Sequence, residues 1–237
     1  MENLTYAIGD IHGCRAELQR LLSAIDDHAA GQPYEIVFVG DYVDKGPDSA
    51  GVIEALMRLQ AKASSRVICL KGNHDAQMAA AASSEAAAAK WMTMSGGPVL
   101  AQYGVRRARD LPKDILTWLD ALPTWHEDAQ RHFVHAGIDP SRRRDDQDDA
   151  VRMSMRGVFL ERDFDFGRHV VHGHTPQLGG LPDQRAFRTN LDTGVVDTGR
   201  LTAAMFDAST GPPLAILSAR RKGTVQVQRG ARRPITA

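Results

Sequence analysis

The chain has 237 residues, 43% of them apolar, which is enough for one large domain or two small ones. Its 29 lysines and arginines balance 29 aspartates and glutamates, which argues against bulk attraction to nucleic acid or an anionic membrane but leaves room for a local positive pocket. Two cysteines (Cys14 and Cys69), no C-x-x-C pair, no apolar stretch of spanning length and a start without a basic-then-apolar segment exclude a disulfide framework, a zinc finger and a membrane span, and predict no signal peptide and a cytoplasmic setting.

Leu4 to Ile8 predicts a short buried strand. Asp10 and His12 follow it, two residues apart and so on one side of an extended chain, where open α/β sheets place ligands. Cys14 to Ala30 carries Leu18, Leu21, Leu22 and Ile25 at helical spacing. Glu35 to Val39 predicts a second strand that again ends in Gly-Asp. Ser49 to Ala61 predicts a second helix, capped by Asp48 or Ser49. Arg66 to Leu70 is a third strand, followed by Lys71-Gly72-Asn73-His74-Asp75. This alternation implies a largely parallel sheet with helical crossovers.

Ala76 to Met94 reads as one alanine-rich, solvated cap helix with little to pack and no function of its own. Lys113 to Leu122 predicts another helix, with Pro112 suited to its first turn. Strands are then predicted at Arg131–His135, His169–His172, Thr189–Asp192, Leu201–Asp207, Leu214–Ala219 and Thr224–Gln228, a run that suggests a second sheet packed on the first. "SRRRDDQDD" reads as a mixed-charge surface loop. With no internal repeat and no linker, residues 1–229 are expected to form a single domain and 230–237 a flexible tail.

Five turns after apolar runs carry metal-ligand chemistry: "GDIHG", "GDYVDKGP", "GNHD", "HAG" and "HGHT". If the strand ends converge, Asp10, His12, Asp41, Asn73, His135 and His174 offer three imidazoles, two carboxylates and an amide oxygen. One ion takes roughly four to six such ligands, so the inventory fits two ions that share a carboxylate. His28, His126, His132 and His169 are given no catalytic role. "CRAELQR" matches C-x5-R only by spacing on an amphipathic helix, and "DFDFG" lacks a glycine-rich partner loop.

As an ordered set these motifs resemble the phosphoprotein phosphatase branch of the calcineurin-like metallophosphoesterases, most of all its small bacterial and bacteriophage serine/threonine phosphatases. "NLDTGVV" and "GRLTAAMFD" are similar to that family's closing strands, so the resemblance covers nearly the whole chain. It implies an α/β (α+β) fold, a β-sandwich of two mixed sheets flanked by helices with the metals at one sheet edge. It also implies residue roles. Asp10 and His12 bind a first metal, Asp41 bridges, and Asn73, His135 and His174 bind a second, with His172 the weaker match. His74 is the general acid and Asp44 its orienting partner. Arg156 and Lys45 bind substrate phosphate together with Asn73; Lys45 stands where the family usually has arginine, and loses the planar fork.

The implied chemistry is metal-dependent. Two divalent ions about 3.5–4 Å apart lower the pKa of a shared water, and the resulting bridging hydroxide attacks phosphorus in line. Manganese is the expected ion in vitro, with iron, zinc, cobalt or nickel open. The leading expectation is a phosphomonoesterase acting on phosphoserine or phosphothreonine, with phosphotyrosine and small aryl phosphates as further substrates. Its partners would be a phosphorylated protein, peptide or small molecule, with no nucleic acid and no membrane. The alternative is a dinucleoside tetraphosphate hydrolase. In that cousin the second motif tends to lack the aspartate matching Asp44, so its presence favours monoester chemistry. A non-catalytic metal-binding scaffold would require lost ligands or a lost His74, and none is lost. Oligomeric state is not legible.

Overall fold

The computed structural model describes residues 4–63 and 66–229, so the tail expected at 230–237 lies outside the described residues. Alternation along the strands decides the layering. In β1 (Leu4–Ile8), Tyr6 and Ile8 join one buried cluster and Ala7 another; in β2 (Tyr34–Phe38), Ile36 and Phe38 separate from Val37 in the same way. The first cluster holds the helix side, where Leu18, Leu21 and Ile25 of α1 (Arg15–Ala29) and Val52, Ile53 and Leu56 of α2 (Ser49–Lys62) pack. The second brings Ala7, Val37 and Ala204 of one sheet together with Phe133, Val171 and Leu191, on or next to strands of the other, and is the layer between two sheets.

The first sheet also contains β3 (Val67–Cys69), β9 (Arg200–Phe206), β10 (Ala215–Arg220) and β11 (Gln226–Arg229), in the order β11-β10-β9-β1-β2-β3. β1, β2 and β3 are parallel, with Ile8 opposite Phe38 and Phe38 opposite Cys69, so their following loops leave at one edge. The second sheet consists of β4 (Trp125–Glu127), β5 (Arg131–Val134), β6 (His169–His172), β7 (Asp183–Gln184) and β8 (Arg188–Asn190), in the order β4-β5-β6-β8-β7. β5, β6 and β8 are parallel, and β4 and β7 are antiparallel edges. The expected α/β architecture of two mixed sheets flanked by helices is therefore found.

Two expectations change. The late strands do not all build the second sheet: β9 pairs antiparallel with β1, Ile8 opposite Ala203, and β10 and β11 follow it. That pairing satisfies the backbone edge of β1 that β2 leaves open. The alanine-rich segment is not one solvated helix. It begins at the "GNHD" loop as α3 (Asn73–Ser83), breaks, and resumes as α4 (Glu85–Met94). Ser84 is extended at φ −137° and its hydroxyl accepts the Ala87 N–H at 3.3 Å, so it ends one helix and caps the next. The turn folds α4 back and buries Trp91 completely. The remaining helices are α5 (Gly96–Gln102), α6 (Lys113–Ala121), α7 (Asp149–Ser154), α8 (Val158–Glu161) and α9 (Val195–Thr198). Among the described residues no helix is long and apolar enough to cross a membrane.

Candidate metal centre and proton donor

The loops after β1 and β2 lock onto each other through the backbone. Ile11 and His12 donate to the Asp41 carbonyl at 3.1 and 2.9 Å, and Gly13 donates to that of Tyr42 at 2.8 Å. Such tight corners need left-handed backbone, and His12, Asp41, Asp44, Lys45 and His174 all adopt positive φ, between 44° and 72°. Non-glycine residues take that region rarely, and clusters of them mark functional sites. At Gly173 a Cβ would collide with Asp10 Oδ1, so only glycine lets that carboxylate reach the turn.

Asp75 sits beneath these corners. It is fully buried, and its carboxylate accepts the N–H groups of Asp41 at 2.8 Å, Gly72 at 2.9 Å and Tyr42 at 2.9 Å. Burial, then the charge of Asp41, raises its pKa to about 7. In the sequence it was only the last letter of "GNHD".

Asp41 stands at the centre. Its Oδ2 lies 3.5 Å from His12 Nε2 and its Oδ1 lies 3.5 Å from His135 Nε2. Potential ligand atoms of His12, Asp41 and His74 all fall within 4.8 Å of one another, as do those of Asp41, His135 and His174. The Asn73 amide oxygen is 3.1 Å from His135 Nε2. Asp10 lies beside these groups rather than within either, its oxygens accepting the His174 N–H at 3.1 and 3.2 Å. His12 and His135 each turn Nδ1 to a carbonyl, Val43 at 2.8 Å and Val39 at 2.9 Å. A carbonyl only accepts, so Nδ1 carries the proton and Nε2 faces Asp41. His172 points elsewhere: its Nδ1 meets the Gly173 carbonyl and its Nε2 meets Arg188.

The electrostatics ask for cations. Asp10, Asp41 and Asp192 are all nearly inaccessible carboxylates, and Asp192 Oδ2 is buried without a partner. Burial and then Asp192 push Asp10 upward. Burial alone would raise Asp41 as well, but the His135 imidazole holds it well below the usual carboxylate range. Burial lowers His12 and His174 to about 3, which leaves them neutral. His135 goes the other way: burial would lower it, but the Asp41 carboxylate raises it to about 10, so a proton there answers the charge that a cation would. Crowded carboxylates, an orphaned oxygen and the imidazoles of His12, His135 and His174 form a nitrogen–oxygen donor set that fits divalent ions.

Beside this cluster is a second device. His74 Nδ1 lies 2.6 Å from Asp44 Oδ2, and Trp91 donates its indole N–H to both Asp44 oxygens at 3.0 and 3.2 Å. Trp91 belongs to the segment expected to have no function, and no local pattern points from it to residue 44. The Lys45 ammonium is 2.9 Å from His12 Nε2, and Arg156 Nε donates to His174 Nε2 at 3.1 Å. One cation therefore stands at each of the two ligand groups.

A family model described as calcineurin-like phosphoesterase matches residues 5–188. A curated relative from Pseudomonas syringae pv. syringae, bis(5'-nucleosyl)-tetraphosphatase, symmetrical, is 34% identical over 137 residues, covering 57% of this chain and 42% of its own length. The chain thus matches less than half the length of that relative. A solved structure provisionally described as a diadenosine tetraphosphatase is 26% identical with a TM-score of 0.65, covering 97% of this chain and 94% of the other. The cold-active protein-tyrosine phosphatase of a Shewanella species, at 18% identity and TM-score 0.67, covers 94% of this chain and 80% of its own, and shows the fold alone.

These relatives overturn the expectation of a serine/threonine phosphatase with a phosphoprotein substrate, and favour the alternative. The motifs misled because they describe the reaction centre and not the leaving group. The 2.6 Å contact between Asp44 and His74 would serve an ester or an anhydride alike, so the presence of Asp44 carries no preference for monoesters.

Proposed function

The chain belongs to the calcineurin-like phosphoesterase family, whose members use a dinuclear divalent metal centre, and on that footing we propose that it hydrolyses dinucleoside polyphosphates, cutting a tetraphosphate at its central anhydride into two nucleoside diphosphates. The observation that carries the chemistry is Asp41 between two ligand groups, beside a histidine–aspartate pair. Agreement among the curated relatives supports the substrate class.

Asp10, His12 and Asp41 would hold one ion, and Asp41, Asn73, His135 and His174 the other. When bound, two divalent ions neutralise phosphate charge and make water acidic enough to attack phosphorus near neutral pH. His74 turns Nδ1 to Asp44, which leaves Nε2 to deliver a proton to the departing diphosphate oxygen. Asp44 fixes that tautomer. Arg156 and Lys45 bring positive charge to the polyphosphate, one at each ligand group. A diphosphate leaves more readily than an alkoxide, so neutralising the chain's charge weighs more here than the proton.

The test uses chelator-stripped protein reloaded with manganese and incubated with diadenosine tetraphosphate. ADP is the expected nucleotide product, and the stripped protein yields none. AMP with ATP, or faster cleavage of a simple phosphodiester, overturns the proposal.

A further inference from the structure

The alanine run lines a cavity of about 550 Å³, a volume typical of small-molecule sites. Ala81 and Ala82 at the end of α3, Ala88 on α4 and Leu100 are its buried or half-buried floor, with Ala89 and Met92 at its exposed edge. Alanine is the strongest helix former and the smallest residue that is one, so it keeps both helices while leaving this space open. Arg106, Arg107 and Arg109 make the rim, against a single acid, Glu85. All three arginines are exposed, and among the described residues none has an ion-pair or side-chain hydrogen-bond partner. An apolar floor under unpaired guanidinium groups suits a flat, apolar body carrying negative charge. Guanidinium planes also stack on nucleobases.

The position agrees with the chemistry of the substrate. Ala81 follows His74 by seven residues on the same stripe of α3, so the cavity opens about 10 Å along the helix from the proposed proton donor. An extended nucleoside diphosphate spans a comparable length from its terminal phosphorus to its base. We propose that this cavity receives the nucleoside end of one half of the dinucleoside polyphosphate, the base on the alanine floor and the adjoining phosphate at the arginines. The proposal rests on the substrate class argued above.

The experiment compares ADP with pyrophosphate, which carries the phosphates without the nucleoside. By calorimetry, the manganese-loaded protein is expected to bind ADP at least tenfold more tightly than pyrophosphate. Ala88→Trp, which fills the floor, and the double change Arg107→Glu with Arg109→Glu should each remove that advantage. The pyrophosphate affinity of Ala88→Trp should stay unchanged, which reports intact folding and metal loading; for the double arginine change, which also removes a phosphate contact, manganese content and the melting temperature report both. For diadenosine tetraphosphate, kcat/KM should fall at least tenfold, chiefly through KM, as expected when binding common to ground and transition states is lost. Wild-type protein that cleaves the tetraphosphate while both variants keep the ADP advantage overturns the cavity assignment alone. Wild-type protein that neither cleaves it nor prefers ADP overturns this assignment together with the substrate class.

Discussion

Asp44 accepts three contacts from two side chains: His74 at 2.6 Å, and a forked bond from the Trp91 indole at 3.0 and 3.2 Å. The carboxylate is fully buried, so losing a donor leaves part of its charge unanswered. Trp91→Phe keeps the ring and removes only the N–H. Turnover is expected to fall about tenfold, the rate equivalent of roughly 1.4 kcal/mol, with metal content unchanged. His74→Asn should cost about 10²- to 10⁴-fold, the usual range for a lost acid–base group. Steady-state kinetics with elemental analysis checks both; loss of metal in His74→Asn would reassign His74 as a ligand. The candidate ligand residues were legible because each sits in a short glycine-bearing turn after an apolar run. Trp91 was not, because its partner lies 47 residues earlier and the helix carrying it reads as featureless alanine.

At the level of elements, the caps behave as local chemistry predicts. Asp48 precedes α2, and its Oδ1 accepts the Gly51 N–H at 2.8 Å. Asp48→Ala should lower unfolding stability by about 1 kcal/mol, read by urea denaturation, with metal content unchanged. That helix and β1 to β3 were legible from apolar spacing and turn residues. The break between α3 and α4 was not, since the alanines on both sides have one propensity and Ser84, the second of two adjacent serines, decides. β4 and β7 escaped notice because strands of two and three residues have too little length to show alternation.

Across the whole molecule, the site depends on both sheets meeting. Asp10, His12, Asp41 and Asn73 follow strands of the first sheet, and His135 and His174 follow strands of the second. Convergence of the strand ends was foreseen, but the return of β9 to β1 was not, because pairing partners are set by which backbone edge remains open. The interior also fixes an acid limit. His169 is buried on the second sheet, with Nε2 bonded to Thr189 Oγ1 at 2.9 Å, and burial lowers its pKa from 6.5 to about 4. Between those values the unfolded chain binds the extra proton. Its contribution is therefore complete above pH 6.5 and is lost as pH falls toward 4, on the order of 3 kcal/mol in all. Urea titrations at pH 7.5 and 5 should show the wild type losing about 2 kcal/mol more than His169→Gln. Equal losses would mean that His169 is not held neutral.

The left-handed corners at His12, Asp41, Asp44, Lys45 and His174 set a limit on how this protein can be improved. Each L-residue there carries a conformational penalty of about 1–2 kcal/mol that glycine would escape. Relief of that strain would therefore press a screen for heat tolerance toward glycine at these places, at the expense of the candidate metal centre. A thermostability library for this chain should hold those five codons constant and look for its gains elsewhere.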